Sequence, residues 1–201
     1  QAQDLLAAYP DQKIINRVLW SKAGISKIFH YAGHEGSSSS LLTPFLITAS
    51  HPEVRKTREF QVVTSTLDIE LEKIDKNFNY KILVLDVQGA ELEVLKGCKG
   101  ALENIDYIIS EISQIELYEN DVQVHELVSE LSSQGYIFVA SEMNRATGWG
   151  EGLFIHKRAL GRLGAKDFEH IIVGKHFAKG RIARSLLVRI RRSFDKKNLV
   201  S

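Results

Sequence analysis

Two carboxylates in this 201-residue chain stand where side chains can do chemistry: Asp86 in VLDVQG (84–89) and Glu111 in IISEIS (108–113). Each follows a short apolar run, Ile82-Leu83-Val84-Leu85 before Asp86 and a stretch rich in isoleucine before Glu111. Runs of that length read as strands, and 82–85 has the composition of a central strand covered on both faces. A carboxylate at the carboxyl end of such a strand, beside the turn that Gly89 allows, lies where open α/β sheets bind ligands. If the two strands are neighbours, the two groups reach one edge of the sheet about 5 Å apart. They could then serve as general base and orienter, or together hold a divalent ion such as Mg2+. No third ligand is visible, so no metal is expected, and Asp86 and Glu111 are the candidates if one is bound. The alternative for either residue is a solvated position in a turn.

A second group of candidates lies in the loop Tyr31–Ser40, YAGHEGSSSS. The hydroxyls of Ser38, Ser39 and Ser40 suit recognition of a polyol, and a histidine such as His34 suits proton transfer near neutral pH. Solvated connectors have the same composition. Trp20, after the first strand, and Trp149, between Gly148 and Gly150 in a loop expected over 141–151, offer faces for stacking, with plain packing as the alternative. Glu91 falls in the first turn of the helix after Asp86, where a carboxylate can satisfy free backbone N–H groups. Cys98 is the one cysteine, which excludes an intrachain disulfide framework and suits a reducing compartment; core packing is its expected role.

The elements that must position these residues can be read in order. A helix ending near Tyr9 is stopped by Pro10. Lys13–Leu19 and Ser26–Tyr31 read as strands joined by a hairpin turn at Lys22-Ala23-Gly24, and Glu59–Thr64 as an edge strand. Thr66–Ile74 reads as a helix with a Ser/Thr cap. Leu92, Leu95 and Leu102 share a helical face after the 82–85 strand, and Asp106–Ile112 is a second buried strand. Val122–Ser133 is an amphipathic helix closed by Gly135, with Val124, Leu127, Val128 and Leu131 facing inward. Tyr136–Ala140 and Gly152–His156 form a final strand pair. Strand, helix, strand, helix and a closing pair argue for an α/β sheet.

Composition bounds the rest. With 44% hydrophobic and 25% charged residues, the chain can bury one substantial core and carry an extension. Residues 157–201 hold 13 Lys/Arg against 3 Asp/Glu, while the rest of the chain is net acidic. Within that tail, Phe177, Ile182, Leu186, Leu187, Ile190 and Phe194 recur at helical spacing among arginines, as in a helix that lies on an anionic membrane surface or packs on a partner, with a helix folded back onto its own domain as the alternative. Nucleic acid is disfavoured, since no aromatic platform accompanies the charge. No apolar run reaches membrane-spanning length and no signal sequence opens the chain, so the expectation is a cytoplasmic protein, peripheral at the membrane if the tail helix docks there.

The stretch 86–97, D-V-Q-G-A-E-L-E-V-L-K-G, resembles the signature of the FkbM-type methyltransferases. VLWSKAG (18–24), the serines 37–40 before Leu41, TSTLD (64–68) and ENIDYIISEIS (103–113) agree with that family in order. Gln88 is a departure, standing where many members have Glu. The resemblance covers about residues 1–157. It implies the C-terminal part of a Rossmann-like class I methyltransferase sheet, use of S-adenosyl-L-methionine (SAM), and methylation of a hydroxyl on a sugar or other small-molecule or glycan acceptor. On the same resemblance, Leu19, Trp20, Asp86 and Val87 are expected at the cofactor. Asp86, Glu111 and His34 are then the catalytic candidates, with Ser38, Ser39, Ser40 and Trp149 at the acceptor.

The resembled fold carries a glycine-rich turn after its first strand, and no G-x-G-x-x-G pattern occurs here. Residues 1–157 are therefore expected to be a partial domain from a longer protein, inactive alone, with 158–201 as a basic extension. The competing expectation is a degenerate, non-catalytic binding module that works through its basic C-terminal helix. A dehydrogenase-like use of the fold lacks its dinucleotide fingerprint.

Overall fold

The computed structural model describes residues 13–51, 54, 56–74, 79–144 and 146–160. The helices expected before Pro10 and within 177–194 lie outside these residues. The described chain is a mixed α/β structure with two sheets.

In the first sheet, β1 (Val18–Leu19), β2 (Ser26–Ala32) and β3 (Lys56–Ser65) stand in the order β1-β3-β2. The middle strand, β3, runs parallel to β1 and antiparallel to β2. Two expectations are corrected: β1 and β2 do not close a hairpin on each other, and β3 is not an edge strand. Thr64 is the reason. Its carbonyl accepts from the Gly24 N–H at 2.8 Å and its hydroxyl donates to the Lys22 carbonyl at 2.6 Å, which folds the 22–24 turn onto β3. After β2 come a 3-10 turn at His34–Gly36 and a short helix α1 (Ile47–Ser50).

Helix α2 (Leu67–Ile74) follows β3 directly, and the Thr66 hydroxyl accepts the Ile69 N–H at 3.3 Å, as the cap reading requires. Its Asp68 reaches further. That carboxylate accepts the N–H groups of Gly100 and Ala101 at 2.9 and 2.8 Å, at the start of another helix, α4 (Lys99–Leu102).

The second sheet has the order β4 (Ile82–Leu85), β5 (Tyr107–Ser113), β7 (Trp149–His156), β6 (Tyr136–Asn144). β4 and β5 are parallel, and β7 is antiparallel to both of its neighbours. The closing pair is longer than expected because the connection at 145–148 is short, with Gly148 in a left-handed turn at φ 72°. Trp149 is thus the first residue of β7, opposite Ser113 and Asn144, and not a loop residue.

The strand with two covered faces is β5, where every residue but Glu111 is buried. This corrects the reading of 82–85. Only Leu85 of β4 is buried and Val84 is 63% exposed, because β4 pairs with β5 alone among the described strands. The helical stretch after β4 is also two helices, α3 (Glu91–Lys96) and α4, parted at Gly97-Cys98. Gly97 is needed there, since an added Cβ would overlap the Trp20 carbonyl oxygen.

One face of β5 and β7, through Ile108, Ile112 and Phe154, packs on Val94, Leu95 and Cys98 and on Leu127 and Leu131 of helix α5 (Val124–Ser133). Helix α5 opens with a capping box, in which Glu126 accepts the Gln123 N–H at 2.9 Å. A last short helix, α6 (Lys157–Leu160), follows β7. Its Arg158 donates to the buried Asp106 carboxylate at 2.7 Å and to the carbonyls of Leu102 and Ile105, locking the start of β5. No helix among the described residues is long and apolar enough to cross a membrane.

Candidate active site

The site grows from the turn that leaves β4. Leu85 pairs with Ser110, so the next residues, Asp86 and Glu111, stand level at the same end of two adjacent parallel strands. Gln88 and Gly89 then adopt left-handed conformations in succession, at φ 54° and 92°. Glycine is required at 89, where a Cβ would come 2.7 Å from Cβ of Asp121. This reversal starts α3 and points the Gln88 side chain back across the strand ends.

The Gln88 amide joins the two acids. Its Nε2 donates to Asp86 Oδ1 at 2.7 Å and to Glu111 Oε2 at 3.0 Å. Its Oε1 accepts from the Tyr118 hydroxyl at 2.7 Å, and that hydroxyl also lies 3.2 Å from the Ser38 carbonyl oxygen. The Gln88 carbonyl in turn accepts from the Ser40 hydroxyl at 2.7 Å. Glu91 takes the structural part expected of it. Only 2% exposed, it accepts the N–H groups of Val87 and Gly89 at 3.3 and 3.2 Å and so closes the turn from inside.

The electrostatics separate these carboxyls. Burial pushes Glu111 up to about 8, with the charges of Glu91, Asp86, Asp121 and Glu151 adding to the effect. Burial also raises Glu91, to about 7, against the pull of its backbone hydrogen bonds. Two like charges 5 Å apart repel by about 3 kcal/mol at an effective dielectric constant near 20, enough to keep a proton on one of a close pair at neutral pH. That proton belongs to Glu111. Burial and the same acidic neighbours raise the Tyr118 phenol above its ordinary range, so it stays a hydrogen donor.

Asp86 is exposed and lines a cavity of about 540 Å3. β2 and β3 give it an aromatic surface: Phe29 and Phe60 are register partners, and Tyr31 meets Phe60 edge-on at 6.4 Å. Arg17 and Leu19 come from the β1 segment, and Val87 from the turn. Ser39 and Ser40 line it as well, although their hydroxyls are engaged with backbone, Ser39 with the Ala32 N–H at 3.2 Å and Ser40 with Gln88.

The structure thus brings Leu19, Asp86, Val87, Ser39 and Ser40 to one cavity. It does not bring the other candidates there. Glu111 lies behind Gln88, in a small space shared with Glu91, Tyr118 and Asp121. His34 occupies the 3-10 turn, and its neighbours Glu35 and Gly36 line the cavity while it does not. Ser38 contributes its carbonyl to Tyr118. Trp20 is buried with Lys27 Nζ 4.0 Å from its ring centre. Trp149 packs with Leu117 and Tyr118, edge-on to His51.

Sequence reading missed Gln88 as a bridge, Tyr118, and the aromatic wall. The wall left a signal, since Phe29 and Tyr31 alternate by two, as do Phe60 and Val62. Tyr118 left none. Among the described residues no cluster of three His, Cys, Asp or Glu is arranged to hold a metal, and a donating amide nitrogen spans the gap between Asp86 and Glu111. A cation does not fit between those two groups as they stand.

A parallel strand pair that delivers acids beside a glycine turn, next to a cavity of this size, is where open α/β sheets bind ligands. The chain belongs to the FkbM methyltransferase family: the family profile described as "Methyltransferase FkbM domain" matches residues 8–138. Neither the curated proteins nor the solved structures compared with the chain gave a match.

Proposed function

We propose that the chain works as a SAM-dependent O-methyltransferase on a hydroxyl of a sugar or other small-molecule or glycan acceptor, with Asp86 receiving the hydroxyl proton. The observation that carries this reading is the place of Asp86, exposed on the cavity and fixed at one oxygen by Gln88 while Oδ2 has no partner among the described residues. In support, β7 lies antiparallel between β5 and β6, the reversed closing pair of a class I methyltransferase sheet.

The cavity suits SAM by chemistry. That molecule combines a sulfonium cation, an amino-acid end, a ribose and an adenine. Asp86 offers an anion, Arg17 a guanidinium for a carboxylate, and Phe29 and Phe60 a flat apolar surface. About 540 Å3 falls within the usual range for a small-molecule site. Bound SAM supplies an electrophilic methyl group. The residues of the chain do the rest: Asp86 holds and deprotonates the acceptor hydroxyl, which is otherwise a poor nucleophile. Glu111, its carboxyl raised by burial, lies behind Gln88 and off the cavity, so Asp86 is the carboxyl group that faces the acceptor. His34, off the cavity wall, takes no part.

Calorimetric titration of SAM and of its demethylated product tests the reading directly. Wild type is expected to bind both, because the cavity is lined by residues between Asn16 and Ala90 of this chain itself; such binding would set aside the expectation of an inactive partial domain. Asp86→Asn is expected to retain binding within about tenfold and to lose methyl transfer by about 10²–10⁴-fold. Absence of binding to wild type, or full transfer by Asp86→Asn, overturns it.

A further inference from the structure

Gln88 commits every polar atom of its side chain to the site. Both amide hydrogens go to carboxylates, Asp86 at 2.7 Å and Glu111 at 3.0 Å, and the amide oxygen takes the Tyr118 hydroxyl at 2.7 Å. It does so from a left-handed backbone at φ 54°, which side chains other than glycine avoid unless their surroundings hold them there. The holding is visible: the Ser40 hydroxyl grips the Gln88 carbonyl, and Glu91 grips the N–H groups on either side, of Val87 and Gly89.

An amide has two unlike ends, and only one sense satisfies this site. Asp86 needs a donor, and the phenol hydrogen needs an acceptor. Turned over, the amide would aim its oxygen at Asp86 Oδ1 and leave the phenol hydrogen only the longer contact to the Ser38 carbonyl. Tyr118 therefore shares with Asp86 in selecting the sense. It has one hydrogen and two acceptors within reach, Gln88 Oε1 at 2.7 Å and the Ser38 carbonyl at 3.2 Å, and the shorter contact takes it.

We propose that Gln88 is a positioning residue, which holds Asp86 and Glu111 as one fixed pair and presents Asp86 to the cavity, with Tyr118 helping to set the direction of its amide. The inference rests on Asp86 as the base named above. It adds a link to the loop over the cavity, because Tyr118 touches Ser38 and Ser40 touches Gln88. Loop and base are thereby referred to a single residue, through both its backbone carbonyl and its side chain.

The test needs no acceptor. NMR titration of the full chain with 13C-labelled Glu carboxyls follows Glu111 directly. The groups that face it are Asp86, Glu91, Tyr118, Asp121 and Glu151, and all but Gln88 and Tyr118 stay as they are in the variants. Gln88→Leu removes a hydrogen bond that favours the charged form of Glu111, so its midpoint should rise, by about one pH unit. Tyr118→Phe frees the amide to turn and should move it the same way by less. A role confined to fold stability would lower the melting temperature and leave the midpoint where it was. An unmoved midpoint in Gln88→Leu overturns the proposal; if that variant does not fold, an unmoved midpoint in Tyr118→Phe does so. Failure of wild type to bind SAM would remove the methyl-transfer reading, while the carboxyl titrations would still judge Gln88.

Discussion

Replacing Glu111 with glutamine should make the fold more stable above neutral pH and hardly change it near pH 5. In the fold this carboxyl is raised from 4.5 to about 8, chiefly by burial and then by Glu91 and Asp86. A raised acid binds its proton more tightly in the native than in the unfolded chain. Its contribution is therefore complete below about 4.5 and is lost as pH climbs towards 8. Taken as a lone site over that interval, at 1.36 kcal/mol per pH unit, the loss approaches about 5 kcal/mol. Glu111 is only partly buried, so solvent screening takes a share, and about 2–3 kcal/mol is the working figure. Glutamine keeps the shape and an oxygen for the Gln88 amide, but never ionises.

For a chain of this size, each kcal/mol moves the melting temperature by about 2–4 °C. Thermal melts followed by circular dichroism at pH 5, 7 and 9 should then show Glu111→Gln and wild type close together at pH 5. By pH 9 the variant should lead by roughly 5–10 °C. The sign is the test. Parallel curves at all three pH values would mean that Glu111 ionises as an ordinary surface acid, and the assignment of the neutral partner to it would collapse.

Other sites give sharper local readings. Phe60, 45% exposed on the cavity wall, should cost little stability when changed to alanine but should weaken SAM binding by about tenfold, read by calorimetry. Asp106→Ala leaves the Arg158 guanidinium facing carbonyls without its charge partner, and should lower stability by about 3–5 kcal/mol in urea melts with an unchanged slope. Gly89→Ala forces a Cβ against Asp121 at φ 92° and should cost more than about 1 kcal/mol in the same assay, while also weakening SAM binding through the displaced turn.

The sequence carried the strand–helix–strand run from 82 to 113 plainly, and with it the level placement of Asp86 and Glu111. That placement depends on local signals, a short apolar run and a glycine turn, and on the rule that a crossover helix returns the chain parallel. What it could not carry was non-local. The middle position of β3 is decided by contacts between Thr64 and residues 22–24, some forty positions away in the chain. An apolar run reports hydrophobicity and not the number of neighbours, so β4 read as a doubly covered strand although Val84 lies open. Tyr118 and Gln88 meet only because the loop after β5 passes over the turn after β4, and no periodicity announces such a meeting. The serines read as free hydroxyls, yet a hydroxyl near backbone groups in a tight loop finds them first, as Ser39 and Ser40 do.

The family match ends at residue 138, inside β6, but the site does not. β7 pairs with β5 along all seven residues of that strand, from Tyr107 opposite Ile155 to Ser113 opposite Trp149. Glu151 stands opposite Glu111 in this register, and its charge is one of those that raise Glu111. Phe154 and Ile155 are fully buried and fill the two faces of the sheet behind the acids. Without β7, the far side of β5 would carry unpaired backbone groups, and the burial that keeps a proton on Glu111 would fall away. The different surroundings of the two acids are therefore set partly by residues beyond the recognised signature. The unit that builds the candidate site extends at least through His156.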